Sequence, residues 1–252
     1  MIFAYRYAQD PLDYFIILIL TLIAVVISLV LHELAHGLVA KWNGDYTAKY
    51  AGRLTLNPLK HIDPIGFLMM MLVGFGYAKP VPVNPANFKH YRRGLITVAI
   101  AGVVVNLIIA FVGALGYCLM TLAFNHAVIN LASNAAIRVC WYLLRFFGIL
   151  VSLNLCLLFF NILPIFPLDG FRVIEALTHR GNKFCAFMRI NGRYILYGLV
   201  GLSFIVSTAM ENFANIPSWF QYLDVLGTYL NFFSTHLSNW FAEFWWLMVP
   251  LY

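Results

Sequence analysis

The chain has 252 residues, of which 62% are hydrophobic and only 10% carry a charge. An ordinary soluble domain has about 25% charged residues, so long apolar runs in this chain exclude a water-soluble globule. The aromatic content of 17% also excludes an intrinsically disordered chain, because disordered chains lack the side chains that favour burial.

The net charge of +6 comes from sixteen lysine and arginine residues that are concentrated in two segments. Eight lie between Lys41 and Arg93, and five lie between Arg172 and Arg193. Lysine and arginine accumulate on the cytoplasmic side of membrane proteins, so this pattern predicts topology and excludes a nucleic-acid partner. We expect both segments on the cytoplasmic side of a prokaryotic plasma membrane.

Four apolar runs predict membrane spans. They extend from Phe15 to about Trp42, from Gly94 to Phe124, from Phe146 to Leu163 and from Ile195 to Met210. If both basic segments are inside, successive spans alternate in direction and the remaining connections, which are poor in lysine and arginine, lie outside. The sequence therefore predicts an all-α polytopic membrane protein with four to six transmembrane helices in a lipid bilayer.

Two stretches between the predicted spans differ from the rest. The apolar run from Ile65 to Phe75 is too short to cross a bilayer and is flanked by glycines, which predicts a re-entrant or interfacial segment. Between Tyr46 and Leu56, polar residues alternate loosely with smaller or apolar ones, which favours a small β-hairpin over a helix.

The chain divides into three predicted regions. Residues 1–14 form an outer N-terminal segment, residues 15–210 form the membrane core, and residues 211–252 form an aromatic-rich C-terminal region. This last region mixes tryptophans with polar residues, a composition that fits an interfacial amphipathic helix and a final transmembrane span equally well.

The inner end of the first predicted helix carries His32-Glu33-Leu34-Ala35-His36, which fits the pattern H-E-x-x-H. Helix positions i and i+4 share a face, so both imidazoles can reach one metal ion while Glu33 can approach a water on that metal. The alternative is a pair of interfacial histidines beside a glutamate that reaches toward the headgroups. Ionisable residues inside membranes are costly and typically functional, which favours the metal site.

A catalytic zinc ion takes three protein ligands and keeps one open position, so the two histidines need a third donor. Asp169 lies just beyond the third span, in a segment that Pro164 and Pro167 break out of helical structure. His32 and Leu163 each lie about 26 Å along their helices, so both helix ends reach the same depth. An Asp-Gly pair alone is typical of an ordinary turn, but this depth favours Asp169 as the third ligand.

These motifs together resemble the site-2 protease family of intramembrane zinc metalloproteases, in its small prokaryotic branch. The resemblance rests on the H-E-x-x-H pattern, on residues 161–170 (NILPIFPLDG), and on residues 52–58, 61–64 and 78–85. It covers about Leu29 to Arg172. The gaps between spans are too short for the PDZ or CBS domains of larger relatives, and Val103 follows Ala101-Gly102 where the family commonly has proline.

The resemblance implies that His32, His36 and Asp169 hold one Zn²⁺ per chain and that Glu33 is the general base. The implied activity is hydrolysis of peptide bonds within transmembrane protein substrates, in regulated intramembrane proteolysis. Asn161 is a candidate donor to the oxyanion of the tetrahedral intermediate. A helix-end cap or an interhelical hydrogen bond is an equally good interpretation of Asn161.

Two other functions fit part of the pattern. A metal-binding membrane transporter would also carry ionisable residues inside the membrane, but it needs no base between its histidine ligands. A catalytically silent scaffold for transmembrane partners would be expected to have degraded ligands, and the motif of this chain is intact.

Overall fold

The computed structural model describes residues 11–66, 78–179, 181–213 and 216–249. The α-helices within these ranges are α1 Pro11–Trp42, α2 Thr47–Tyr50, α3 Tyr91–Ile129, α4 Asn134–Ile162, α5 Asp169–Leu177, α6 Lys183–Asn212 and α7 Val225–Met248. Short 3-10 helices cover Pro58–Lys60, Pro85–Asn87 and Ser218–Leu223.

Four helices, α1, α3, α4 and α6, are long and apolar enough to cross a membrane. They contain the four predicted spans, except that the helix of the third span ends one residue early at Ile162, so the prediction of an all-α polytopic membrane protein is confirmed. Along α1, Phe15, Ile19, Ile23 and Ile27 are all exposed. Their spacing of four residues places them on one helix face, where a bilayer would cover them.

Helices α1, α3 and α4 form the centre of the bundle, and small residues let them approach closely. A Cβ atom at Gly116 of α3 would lie 2.4 Å from the ring of Phe147 in α4. Polar contacts join α1 to α4, because the Asn154 amide donates to Ser28 Oγ at 2.8 Å and both residues are fully buried. Close packing and buried hydrogen bonds are the forces that hold helices together in a bilayer.

The connection after α1 differs from the predicted β-hairpin over residues 46–56. Thr47–Tyr50 is helical, and the residues that follow form turns. The carboxylate of Asp45 accepts hydrogen bonds from the backbone N–H and the hydroxyl of Thr47, and this contact starts a helical turn. The hairpin prediction was therefore wrong. The β pairing within the described ranges is one isolated bridge between Ile62 and Ala78.

Except for its first two residues, Ile65 and Gly66, the predicted re-entrant segment Ile65–Phe75 lies outside the described residues.

In the C-terminal region, α7 packs along α3 and α4. Trp245 Nε1 donates to the carbonyl of Phe111 at 2.9 Å, and Tyr229 Oη donates to the carbonyl of Phe159 at 3.3 Å. Helix α7 is not among the four apolar helices. The three-region division of the chain stays a prediction.

Candidate metal centre

Helix α1 places His32 and His36 one turn apart on the same face, and each residue is only 7% exposed. Their Nε2 atoms are 3.0 Å apart. Asp169 is the first residue of α5 and is also 7% exposed. Its Oδ2 atom lies 3.5 Å from His32 Nε2 and 3.1 Å from His36 Nε2. The structure thus brings together the three residues that the sequence singled out as metal ligands.

The chain between α4 and α5 makes this meeting possible. Helix α4 ends at Ile162, and Leu163 has the extended angles φ −56° and ψ 136°. Pro164 and Pro167 lie between the two helices, where neither can continue α4. A Cβ atom at Gly170 would lie 2.0 Å from the carbonyl oxygen of Ile162, so only glycine lets α5 return against the end of α4.

The three side chains fit a zinc ion. Tetrahedral zinc with bonds of about 2.0–2.1 Å holds its ligand atoms about 3.3 Å apart, which matches the distances between these atoms. Asp169 Oδ2 is buried and makes no hydrogen bond of good geometry to any described residue. A buried anionic oxygen is costly without a partner, and a cation between the three atoms would supply one. The described histidine, cysteine and carboxylate groups include this one cluster with metal-ligand spacing.

A backbone carbonyl orients one of the imidazoles. His36 Nδ1 lies 2.7 Å from the carbonyl oxygen of Val98 in α3. A carbonyl only accepts hydrogen bonds, so Nδ1 carries the proton and donates it there. The lone pair of Nε2 is then directed toward His32 and Asp169, which is the tautomer that a metal ligand requires.

Gly102 of α3 is a close neighbour of both imidazoles that the sequence analysis did not assign to the site. A Cβ atom there would lie 2.4 Å from His32 Cε1 and 2.6 Å from His36 Nε2. Any larger residue would therefore displace the histidines. The adjacent small residues Ala101 and Gly102 in an apolar helix are the signal that could have indicated a close helix contact.

Glu33 is half-buried beside His32, and its Oε2 atom accepts a hydrogen bond from the backbone N–H of Val81 at 2.7 Å. Pro80 and Pro82 flank Val81 in a stretch that lies outside helices and strands. Proline favours extended backbone and has no N–H, so Val81 supplies the amide of this tripeptide. The contact fixes the orientation of the Glu33 carboxylate relative to the histidines.

Three buried polar residues hold the segment around Val81 in place. Arg53 donates to the carbonyl of Lys79 at 2.6 Å, and the carbonyl of His61 accepts from the N–H of Lys79 at 2.8 Å. Asp45 is fully buried, and its Oδ2 accepts from the N–H of Asn84 at 2.7 Å. The motif segments 52–58, 61–64 and 78–85 thus meet in one hydrogen-bond network. This network fixes the position of Val81.

The electrostatics of Asp45 follow from the same contacts. Burial raises the pKa of its carboxyl, but hydrogen bonds from Thr47, Asn87 and Asn84 outweigh this and hold the pKa below its ordinary value. Asp45 is therefore ionised at neutral pH, and an acceptor with this many donors is a strong anchor. The role of Asp45 was not predictable from the sequence, because the partners of its carboxylate are up to 42 residues away.

The structure places Asn161 in the last turn of α4. Its Nδ2 atom donates to the carbonyl of Leu157 at 2.9 Å, one turn back in the same helix. This bond fits the interpretation of Asn161 as a helix-end residue. The role of Asn161 as a donor to the oxyanion stays a prediction.

The resemblance implies peptide hydrolysis, and we expect Val81→Pro to lower the kcat of this reaction by about tenfold, with little change in KM. The substitution removes one hydrogen bond to a carboxylate, and such bonds contribute about 1.5–3 kcal/mol. Pro82 already favours extended backbone at Val81, a conformation that proline also adopts, so the segment should keep its path. Steady-state kinetics on a peptide-bond substrate would measure the effect.

Val83→Pro is the matched control for Val81→Pro, because the N–H of Val83 has no hydrogen-bond acceptor among the described residues. It makes the same chemical change two residues away, and we expect its kcat to stay within about twofold of wild type. Equal losses of kcat in both variants would contradict the role of the Val81 amide.

Comparisons with known proteins agree on one family. The chain matches peptidase family M50 over residues 20–200. It is 45% identical over 178 residues to YwhC of Bacillus subtilis (strain 168), a provisionally named zinc metalloprotease, and the match covers 71% of this chain and 76% of YwhC. Rip2 of Mycolicibacterium smegmatis, also named provisionally as a zinc metalloprotease, is 33% identical over 170 residues, or 66% of this chain and 60% of Rip2.

No solved structure matches the chain. The family match covers more than half of the 252 residues, and the donors that zinc requires meet in one buried cluster. The chain therefore belongs to peptidase family M50, the site-2 protease family of intramembrane zinc metalloproteases.

Proposed function

We propose that this zinc metalloprotease hydrolyses peptide bonds in or near the transmembrane segments of membrane-protein substrates, as a step of regulated intramembrane proteolysis. The observation that carries the proposal is the buried triangle of His32, His36 and Asp169, with Glu33 beside it, among helices that are long enough to cross a membrane. A hydrolytic site at this place can reach substrate segments that soluble proteases cannot.

In this proposal, His32, His36 and Asp169 would hold one zinc ion. When bound, zinc would supply Lewis acidity, which lowers the pKa of a water molecule and polarises the peptide carbonyl. Glu33 takes the proton from the attacking water and returns it to the leaving amine. The N–H of Val81 holds the Glu33 carboxylate in position for both transfers.

The substrate must be extended where it is cut. In a transmembrane helix, each carbonyl accepts a hydrogen bond from the N–H group four residues further along the chain. Such a helix cannot present a free peptide group to the site. Asn161 is our candidate for a further donor to the oxyanion. To act in this way, Asn161 Nδ2 would exchange its bond to Leu157 for one to the substrate.

We place the site toward the cytoplasm of a prokaryotic plasma membrane. The two basic segments flank the helix ends that carry the zinc ligands, and lysine and arginine favour the inner side.

The alternative functions are a metal-binding transporter and a silent scaffold. The contact of Glu33 with Val81 favours the protease, because an oriented base next to the ligands has no use in metal transport.

The proposal is tested by removing and restoring the metal. The full chain is purified in detergent, its zinc content is measured, and a panel of model transmembrane substrates is incubated with the zinc-loaded, chelator-treated and zinc-restored protein. We expect cleavage only in the two zinc-bound samples, at sites in or near the transmembrane segment. A folded, zinc-loaded protein that cleaves no member of the panel would contradict the proposed substrate class.

A further inference from the structure

A cavity of about 720 Å³ lies between the start of α3, the end of α5 and the start of α6. This is the end of the bundle at which the candidate zinc ligands meet, since α5 begins at Asp169. The charged residues that line the cavity include Arg92, Glu175 and Arg189. Its volume is within the range of small-ligand sites, about 300–1,000 Å³.

The charges of the cavity favour an anion. Arg189 forms an ion pair with Glu175, so these two charges compensate each other. Arg92 has no ion-pair partner among the described residues and is exposed at the cavity. Tyr91, next to Arg92, also lines the cavity. A guanidinium is a typical ligand of a phosphate group.

An apolar helix face adjoins the cavity. Residues 185, 186 and 189 of α6 line the cavity, and the exposed Phe187, Ile190, Tyr194 and Tyr197 follow on the neighbouring face of the same helix. Their spacing of three and four residues keeps them on one side of α6, which is one of the four candidate membrane spans. Acyl chains could lie along this face while a headgroup enters the cavity.

We propose that this cavity binds the phosphate-bearing headgroup of an anionic phospholipid. Basic pockets between helices at the cytoplasmic surface have the charge that such headgroups require, and the apolar face of α6 distinguishes a lipid from a soluble phosphate. The proposal depends on the geometry of the cavity and not on the proteolytic activity.

The site has a direct connection to the metal centre. Helix α5 has only nine residues, with Asp169 at its first position and Glu175 and Ala176 lining the cavity near its last. A headgroup bound in the cavity would therefore contact the end of α5 opposite to Asp169. Lipid binding should stabilise the protein and keep this ligand in place.

The test is a lipid titration followed by native mass spectrometry of the full chain in detergent. The probes are dioctanoyl phosphatidylglycerol, dioctanoyl phosphatidylcholine and inorganic phosphate. We expect wild type to bind phosphatidylglycerol at least about tenfold more tightly than phosphatidylcholine, and Arg92→Gln to lose about tenfold in affinity for phosphatidylglycerol. Arg92→Lys keeps the charge and should recover part of that affinity.

Arg93→Gln is the matched control, because Arg93 is the exposed neighbour of Arg92 but does not line the cavity. We expect its affinity for phosphatidylglycerol to remain within about twofold of wild type. Equal losses in Arg92→Gln and Arg93→Gln would overturn the proposal in favour of general surface attraction. Equal binding of both lipids by wild type, or binding of inorganic phosphate as tightly as phosphatidylglycerol, would also overturn it.

Discussion

Glu33→Gln is expected to lower the kcat for proteolysis by about 10²–10⁴-fold, the range that a general base contributes, while zinc stays bound. Glutamine keeps the shape of the side chain and retains an oxygen that can accept the N–H of Val81. It cannot take a proton from water, so the chemical step fails although the site remains assembled. Single-turnover cleavage of a transmembrane substrate and the zinc content of the same preparation would measure both quantities.

The control for Glu33→Gln is Glu243→Gln, which makes the same change at an exposed position of α7. We expect its kcat to remain within about twofold of wild type. If Glu33→Gln cleaves as fast as wild type, Glu33 is not the base. If it loses zinc, the loss of activity reports on the metal site and not on proton transfer.

Local geometry made part of this site predictable from the sequence. H-E-x-x-H places two imidazoles on one helix face in any surrounding fold, because the helix repeat alone determines which residues share a face. The position of Asp169 required a comparison of helix lengths, and two helices that cross the same bilayer share a common depth scale. The structure brings Asp169 to 3.1 Å from His36, as that comparison indicated.

Charged residues limited the prediction of helix bounds. Helix α4 begins at Asn134, although the apolar run that predicted it begins at Phe146. Arg138 and Arg145 interrupt the apolar run of the sequence, but they do not interrupt helix α4. Arg138 pairs with Asp13 of α1 at 2.9 Å, and Arg145 lies over the ring of Trp141 at 5.1 Å from its centroid. The first contact joins two helices and the second lies within α4, and neither is visible in a hydropathy pattern.

The surroundings of the ligands depend on contacts between distant parts of the chain. Val81 meets Glu33 across 48 residues, and no periodicity links them. The β-hairpin prediction failed for a related reason, because alternation of residue types does not show that the Asp45 side chain starts a helical turn. Gly102 likewise leaves room for the imidazole of His32 because it has no side chain. This close contact is visible only in the packed structure.

Asp169→Ala is expected to reduce the affinity for zinc by more than about 100-fold and to abolish proteolysis. Changing a residue that only orients a metal ligand already costs about 10–100-fold in affinity, and this substitution removes the proposed ligand itself. The two imidazoles alone leave the tetrahedral site with two open positions. Zinc retained per chain after dialysis against a chelator of known affinity would measure the loss.

Asp224→Ala separates metal loss from damage to a helix start. Asp224 caps α7 by accepting a hydrogen bond from the N–H of Gly227 at 2.7 Å, so its replacement costs the capping energy of about 1 kcal/mol without touching the histidines. We expect this variant to melt at a lower temperature but to keep its zinc. Full zinc retention by Asp169→Ala would remove Asp169 from the ligand set. Equal zinc loss in both variants would mean that the metal responds to general destabilisation of the helices and not to the carboxylate at the head of α5.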